Sequence, residues 1–395
     1  MLRVARAQSA DLFPTDLPLS ASAMIGREED VREIATSLLA GVNLVVAGPR
    51  RTGKTSVCEA AVARAKRAGY YTVSLDLFRI ANAAQLAEAL VASTISNRPR
   101  LYRILHRARE AGRLVADAAG TTVVVRAQHE LGEELEIAFR PGLADRDPER
   151  FLEYALGLPQ RIATEDGKHV VLFIDEFQEV ANPRKPYGDP DAVTKKMRAI
   201  FQRSPDVSFL FAGSYEHVLR ELFGRARQAF GHFGSIYELR PIAQDAWRKG
   251  LLERFDADAC TVNAEALERL LELGGGHPRT TMLLAQKTHL QSILVGTRTI
   301  DATLVELGLR SAMLGDRATL DQTVEQIRLI HRHALLVARR IALGESPYRD
   351  LKSVEAFRAL KGLEHAGVVG PAGPRRWRIL EPLLARYLRE LEPFG

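Results

Sequence analysis

Cysteine is almost missing from this chain of 395 residues. Only Cys58 and Cys260 occur, far apart and in no metal-ligand spacing, which excludes a disulfide framework and favours a reducing, cytoplasmic compartment. Long apolar runs are also missing: the longest, such as Val170–Ile174, are strand-length, well below the ~20 residues that span a bilayer. The N-terminus lacks both a long apolar core and a small-residue cleavage site, so we expect neither secretion nor membrane insertion.

Neither sign of charge dominates the sequence. The 55 Lys+Arg residues exceed the 49 Asp+Glu residues to give a net charge of +6, which permits nucleic-acid contact without requiring it. Hydrophobic residues make up 46% and charged residues 26%, as in ordinary globular proteins. A chain of this length exceeds a single compact core, so we expect two or three domains.

Short apolar runs alternate with helical stretches from about residue 24 to 241, which predicts an α/β domain with a parallel sheet and helices on both faces. The five predicted strands are Asn43–Ala47, Tyr71–Leu75, Val170–Ile174, Val207–Ala212 and Ile236–Leu239. Helices are expected at about 54–68, 84–92, 148–163, 191–203 and 215–223. Within 98–145 the alternation fails, and Thr121–Val125 and Leu135–Phe139 indicate a small β insertion beside a basic helical piece.

The chain divides into four predicted segments. Residues 1–20 are aperiodic and form an N-terminal arm, and residues 21–241 form the α/β domain. Residues 242–320 are helical, with a break at Gly274–Gly276, and residues 321–395 form a last small domain.

A phosphate-binding loop is predicted at Gly48–Thr55, which reads Gly-Pro-Arg-Arg-Thr-Gly-Lys-Thr between an apolar strand and a helix. Its glycines let the backbone wrap closely around phosphates, whose oxygens accept from loop N–H groups and the helix N-terminus. Lys54 would reach the β- and γ-phosphates and the Thr55 hydroxyl would ligate Mg²⁺. The predicted contacts to ATP or ADP in this stretch are Gly48, Pro49, Arg50, Arg51, Thr52, Gly53, Lys54, Thr55 and Ser56.

Two acids follow the buried strand Val170–Ile174. Asp175 is expected beside Thr55 as a second Mg²⁺ ligand, and Glu176 is the candidate base that deprotonates or orients the attacking water.

A third strand, Phe209–Gly213, ends at Ser214. If this strand lies between the two motif strands, Ser214 could hydrogen-bond the γ-phosphate or the water. Capping of the next helix explains the serine equally well.

Together with Ile25-Gly26-Arg27-Glu28 upstream and Gly274–Arg279 downstream, these elements resemble the AAA+/STAND superfamily of P-loop ATPases. The resemblance is to the prokaryotic archaeal-type ATPases and to the core of origin-recognition proteins. It implies a five-stranded AAA+-type sheet, a helical lid at 242–320 and a C-terminal winged helix. It also implies roles for single residues: Ile25 and Gly26 with Arg27 at the adenine site, Pro278 against the base, and Ser214 and Arg279 as sensors of the γ-phosphate.

The same resemblance gives Arg225 two interpretations. In Leu222–Arg227 it precedes the fifth strand, where related ATPases expose an arginine finger to a neighbouring subunit. A surface position is the alternative, and a nucleotide-dependent homo-oligomer stays open with it.

The last segment has the pattern of a winged helix-turn-helix. A helical stripe covers 323–342, a second amphipathic helix carries Val354 to Leu363, and Val368-Val369 pairs with Trp377–Leu380 as a β-wing. Contact with double-stranded DNA through helix and wing is one interpretation, and packing on the ATPase domain is the other. The residues predicted to touch DNA are Lys352, Arg358, Lys361, Arg375 and Arg376.

The sequence thus predicts an Mg-ATP-dependent switch ATPase whose nucleotide state sets the positions of lid and winged helix. The alternatives are an ATP-regulated DNA-binding protein of initiator or transposition-regulator type, and a STAND-type sensor that acts through protein contacts.

Overall fold

The computed structural model describes residues 8–15, 18–98, 148–182, 190–213, 223, 230–373 and 376–391. The first part of the chain contains α1 (Ser9–Leu12), α2 (Glu28–Leu39), β1 (Leu44–Ala47), α3 (Lys54–Arg67), β2 (Tyr71–Asp76), α4 (Ala83–Ile95), α5 (Pro148–Asp166), β3 (Val170–Asp175), α6 (Pro190–Phe201), β4 (Val207–Gly213) and β5 (Ser235–Glu238). Short 3₁₀ turns occupy Ala21–Ala23 and Phe177–Ala181. The predicted β insertion at 121–139 lies outside the described residues.

The five strands form one parallel sheet in the order β2-β3-β4-β1-β5. All five predicted strands are confirmed within one residue at each end. The order puts β4 between β1 and β3, as the Ser214 hypothesis requires. Because parallel strands end at the same edge, the loop after β1 and the acids at the end of β3 meet there.

Both faces of the sheet are covered, so β3 and β4 are buried along their whole length. Alternate residues of β3 face opposite sides: Val171 and Phe173 pack with α2 and α3, whereas Leu172 and Ile174 pack with α4 to α6. The apolar run that predicts β3 is therefore the signature of a strand with a core on each side.

The next part of the chain is helical and has its own core. It contains α7 (Gln244–Asp256), β6 (Thr261–Val262), α8 (Ala264–Gly274), α9 (Pro278–Val295), β7 (Thr299–Ile300) and α10 (Ala302–Gly315), and we call it the lid. The predicted break is present: α8 ends at Gly274, Gly275 takes the left-handed conformation with φ 54°, and Pro278 begins α9. Phe13 from the N-terminal arm and Leu383 from the C-terminal end are buried in this core, and Leu12 and Ile25 pack against it.

A third unit, which we call the C-terminal module, comprises α11 (Arg317–Ile330), α12 (Ala334–Ala342), α13 (Ser353–His365), β8 (Val369–Gly373), β9 (Arg376–Ile379) and α14 (Pro382–Glu390). The strands β8 and β9 pair antiparallel, with Val369 opposite Ile379, as the sequence predicts. Among the described residues, no helix is long and apolar enough to cross a membrane.

The continuous stripe predicted over 323–342 is wrong. The chain becomes extended at His331, which separates α11 from α12. Ile327 and Val337 nevertheless reach the same core, one from each helix. Because both helices keep the same apolar spacing and residues 331–333 contain neither glycine nor proline, the break leaves no signal in the sequence pattern.

Candidate functional site

The loop after β1 folds around the side chain of Lys54. The ammonium group of Lys54 donates to the carbonyls of Gly48 at 2.9 Å and Pro49 at 2.6 Å, while Thr52 Oγ1 donates to the Pro49 carbonyl. Gly53, with φ 87°, caps α3 in the left-handed conformation that glycine adopts without a steric penalty. Burial lowers the pKa of Lys54 to about 8 despite the nearby carboxylates of Glu176 and Asp175. The loop thus holds a desolvated cation at the N-terminus of a helix.

The two predicted acids lie at the end of β3, beside this loop. Thr55 Oγ1 donates to Asp175 Oδ2 at 2.7 Å, so these two oxygens are adjacent. Asp175 is only 7% exposed, and burial together with the charge of Glu176 raises its pKa, although the bond from Thr55 opposes the shift. Glu176 has a left-handed backbone with φ 50° and faces the same space.

A cavity of about 240 Å³ opens over the loop. Its polar lining comes from the loop and the start of α3, from Arg51 to Ser56, together with Glu176. Its apolar lining includes Met24, Ile25, Ile242, Trp247, Pro278 and Met282. Trp247 is 2% exposed, and its Nε1–H has no hydrogen-bond partner among the described residues. Of these apolar residues, Met24, Ile242, Trp247 and Met282 were not predicted, because they belong to patterns that also suit an ordinary core.

The Ile25-Gly26-Arg27 segment joins the cavity to the lid. Arg27 is buried and donates to Asp30, to the Arg240 carbonyl at 2.7 Å and to the Thr52 carbonyl at 3.2 Å. A Cβ at Gly26 would lie 2.9 Å from Ile242, so a glycine permits this close approach. Arg27 therefore braces the phosphate loop against the segment between β5 and α7, a role that the sequence did not indicate.

The N-terminal arm forms part of the cavity wall through Pro14, Thr15, Pro18 and Leu19. Its anchor is Phe13, which is fully buried with its ring 4.8 Å from that of Phe255.

Polar contacts hold both ends of the same arm. Ser9 Oγ and His289 Nδ1 are 2.8 Å apart, and the other ring nitrogen of His289 lies 3.1 Å from Asp258 Oδ2. At the other end, the Leu19 N–H donates to Ser56 Oγ at 2.9 Å. The aperiodic composition of the arm gave no signal that it lines the cavity.

Arg279 and Pro278 lie at the start of α9 and line the cavity, and their roles as sensor and base contact stay predictions. The guanidinium of Arg279 forms a bidentate pair with Asp316 at 2.6 and 3.1 Å, and it lies 3.7 Å from Glu381 of the C-terminal module. The same Glu381 oxygen accepts from Arg51 of the phosphate loop at 3.2 Å. Sequence reasoning missed Glu381 because nothing in the pattern places α14 beside the loop.

Several predicted residues lie elsewhere. Ser214, Arg225 and Arg375 are outside the described residues, so their roles stay predictions. In the C-terminal module Lys352, Arg358 and Arg376 are exposed, whereas Lys361 pairs with Glu364 at 2.5 Å. Exposed Val354 and Phe357 lie on α13 with Arg358 and Lys361, and DNA contact stays a prediction.

Comparisons with known proteins concern the fold. No protein-family model and no curated protein matches the sequence. The Walker-type ATPase of Pyrococcus abyssi aligns with 96% of this chain and 99% of its own at 16% identity and a TM-score of 0.69. ORC2 of Aeropyrum pernix, in its ADPNP–ADP complexes, covers 98% and 96% at 16% identity with a TM-score of 0.58. Cdc6p of Pyrobaculum aerophilum covers 97% and 98% at 14% identity with a TM-score of 0.50. The chain therefore shares the fold of these solved structures, a Walker-type ATPase and two origin-recognition-type proteins.

His277, at the start of α9, makes stability depend on pH. Burial lowers its pKa from 6.5 to about 4; a bond to the Arg50 backbone opposes this, and nearby Arg51 and Arg279 add to it. Because the unfolded chain binds the proton more readily, the stabilisation is complete above about pH 6.5 and is lost as pH falls toward 4. The shift corresponds to about 3 kcal/mol.

We expect His277→Asn to remove this component of acid sensitivity, measured as the free energy of unfolding in urea between pH 7 and 4.5. The control is His232→Asn at an exposed position with φ 58°, which asparagine tolerates. Parallel curves for wild type and His277→Asn would contradict the prediction.

Proposed function

We propose that the protein is an Mg-ATP-dependent switch ATPase in which nucleotide state sets the position of the lid and the C-terminal module. The observation that carries this proposal is the position of Glu381 between Arg51 and Arg279. It brings an acidic group of the C-terminal module to two arginines that line the cavity over the phosphate loop.

Both the polar and the apolar lining of the cavity suit a nucleotide. The loop offers Lys54 and the N-terminus of α3 to phosphate oxygens, which favour positive charge and unpaired N–H groups. The apolar lining suits the base of a nucleotide, and the unpartnered Nε1–H of Trp247 can donate to a ring nitrogen of that base. Support also comes from the Aeropyrum pernix ORC2 structure, which is a complex with ADPNP and ADP.

The adjacent oxygens of Thr55 and Asp175 suit Mg²⁺, which prefers hard oxygen ligands. We propose that both residues hold the ion, which supplies neutralisation of phosphate charge when it is bound. The raised pKa of Asp175 fits this role, since a divalent cation would stabilise its ionised form.

Hydrolysis is assigned to Glu176. Its carboxylate takes the proton of a water whose oxygen forms the bond to the γ-phosphorus, and the bridging oxygen leaves on ADP with the electron pair. Lys54 stabilises the phosphate charge during this step. Ser214 as sensor, Pro278 at the base and Arg225 as finger complete the proposal.

Competition for arginines would couple the site to the C-terminal module. A γ-phosphate and the Glu381 carboxylate both suit the guanidinium groups of Arg51 and Arg279. Glu381 precedes Pro382, whose ring lies so close to Gly275 of the lid that a Cβ added there would be 3.3 Å from it. The next residue, Leu383, is buried in the lid core. When ATP draws the arginines away, α14 loses its polar contact to the loop while its apolar contact to the lid remains. The module then moves with the lid.

The lowered pKa of Lys54 predicts that the protein takes up protons when it binds ATP. With the pKa of Lys54 at about 8, close to half of the free protein carries a neutral amine at that pH. Phosphate oxygens favour the ammonium, so ATP binding takes up about half a proton at pH 8 and little at pH 6.5. Calorimetry in buffers of different ionisation heat measures this uptake. Lys54→Arg, which stays protonated, should abolish it in any binding that remains; buffer-independent heats for the wild type at pH 8 would contradict the assignment.

Glu381→Gln removes the anion that competes with the γ-phosphate for the two arginines. Since Arg51 is 40% exposed in this pair, the effect is modest, on the order of two- to fivefold tighter ATP binding with a smaller change for ADP. The matched control is Glu390→Gln at the opposite end of α14, where the partner of Glu390 is Arg386. Equal changes in the affinities for ATP and ADP would show that Glu381 does not compete with the γ-phosphate, and would contradict the coupling.

A further inference from the structure

The turn that carries Glu176 is fixed from the core. After β3 the chain takes a left-handed step at Glu176 and continues as the 3₁₀ turn Phe177–Ala181. Phe177 is fully buried, with its ring 4.6 Å from Phe211 and 5.2 Å from Phe230. A non-glycine residue with positive φ persists only where its surroundings determine it, and such residues concentrate at functional sites. The backbone of Glu176 is thus held in place.

The side chain of Glu176 is held separately, by Gln178. Gln178 Nε2 donates to Glu176 Oε2, and the Gln178 side chain belongs to a residue only 6% exposed. Its Oε1 is buried and has no hydrogen-bond partner among the described residues.

This half-satisfied amide is informative. A buried carbonyl without a partner destabilises the fold, and an apolar side chain of the same length would fill the volume without that penalty. Packing therefore does not explain a glutamine at this position. What the amide adds is a donor directed at a carboxylate oxygen of Glu176.

We propose that Gln178 is a positioning residue for the hydrolytic step, an inference that rests on the proposed ATPase function. Its amide fixes one oxygen of Glu176 and thereby the direction of the other. Gln178 does not line the cavity and acts through Glu176.

Two substitutions test this role by steady-state ATP hydrolysis. Gln178→Met keeps the volume and removes the donor, so we expect kcat to fall about tenfold with KM for ATP unchanged. Gln178→Glu removes the donor at nearly the same shape and places a second carboxylate beside Glu176, so we expect kcat to fall at least as far, again with KM for ATP unchanged. Gln202→Met, at an exposed position after α6, is the control.

The readouts separate positioning from stability. A structural role would reduce the free energy of unfolding of Gln178→Met and would not confine its effect to kcat; we expect unchanged or higher stability, because the unpaired carbonyl is gone. A wild type that hydrolyses ATP beside a Gln178→Met variant of equal kcat would overturn this inference alone. A wild type without turnover would overturn the ATPase proposal together with it.

Discussion

The common edge of the parallel sheet is the constraint on which the other features depend. With β4 between β1 and β3, the phosphate loop and the acids after β3 open onto one space, and the hydrogen bond from Thr55 to Asp175 spans the two motifs. The lid reaches this space through Ile242 and Pro278, and the C-terminal module through Glu381. The α/β domain and the lid have separate cores, while Leu383 of the C-terminal module is buried in the lid core, so the polar groups at this edge connect the sheet to the other two units.

Electrostatics at this edge favour an anion. Lys54 is buried with a lowered pKa, and Arg27 is buried behind the loop. Arg51 and Arg279 share Glu381, an acid from a different part of the chain. The Glu381 carboxylate thus lies between two guanidinium groups, and phosphate oxygens can accept the same hydrogen bonds while carrying more negative charge. This is the physical basis for proposing that nucleotide binding and the docking of α14 are linked.

Local sequence patterns predicted the features that depend mainly on residues close together in the chain. The strands follow from apolar runs, the loop from glycine spacing, and the start of α9 from Pro278 after a glycine break. Glu381, Phe13 and Trp247 could not be found in this way, because their roles depend on contacts between segments distant in sequence. The break between α11 and α12 escaped for another reason, since two helices that share a core keep one apolar period.

The central claim, that nucleotide binding moves the C-terminal module relative to the sheet, is tested most directly by a distance measurement. Spin labels at the exposed positions Lys168, before β3, and Ser346, between α12 and α13, would report it, with both native cysteines buried. The account predicts that ATP with Mg²⁺ shifts the distance distribution in the wild type and leaves it unchanged in Lys54→Ala. The same distribution with and without ATP, in a protein shown to bind ATP, would contradict the account.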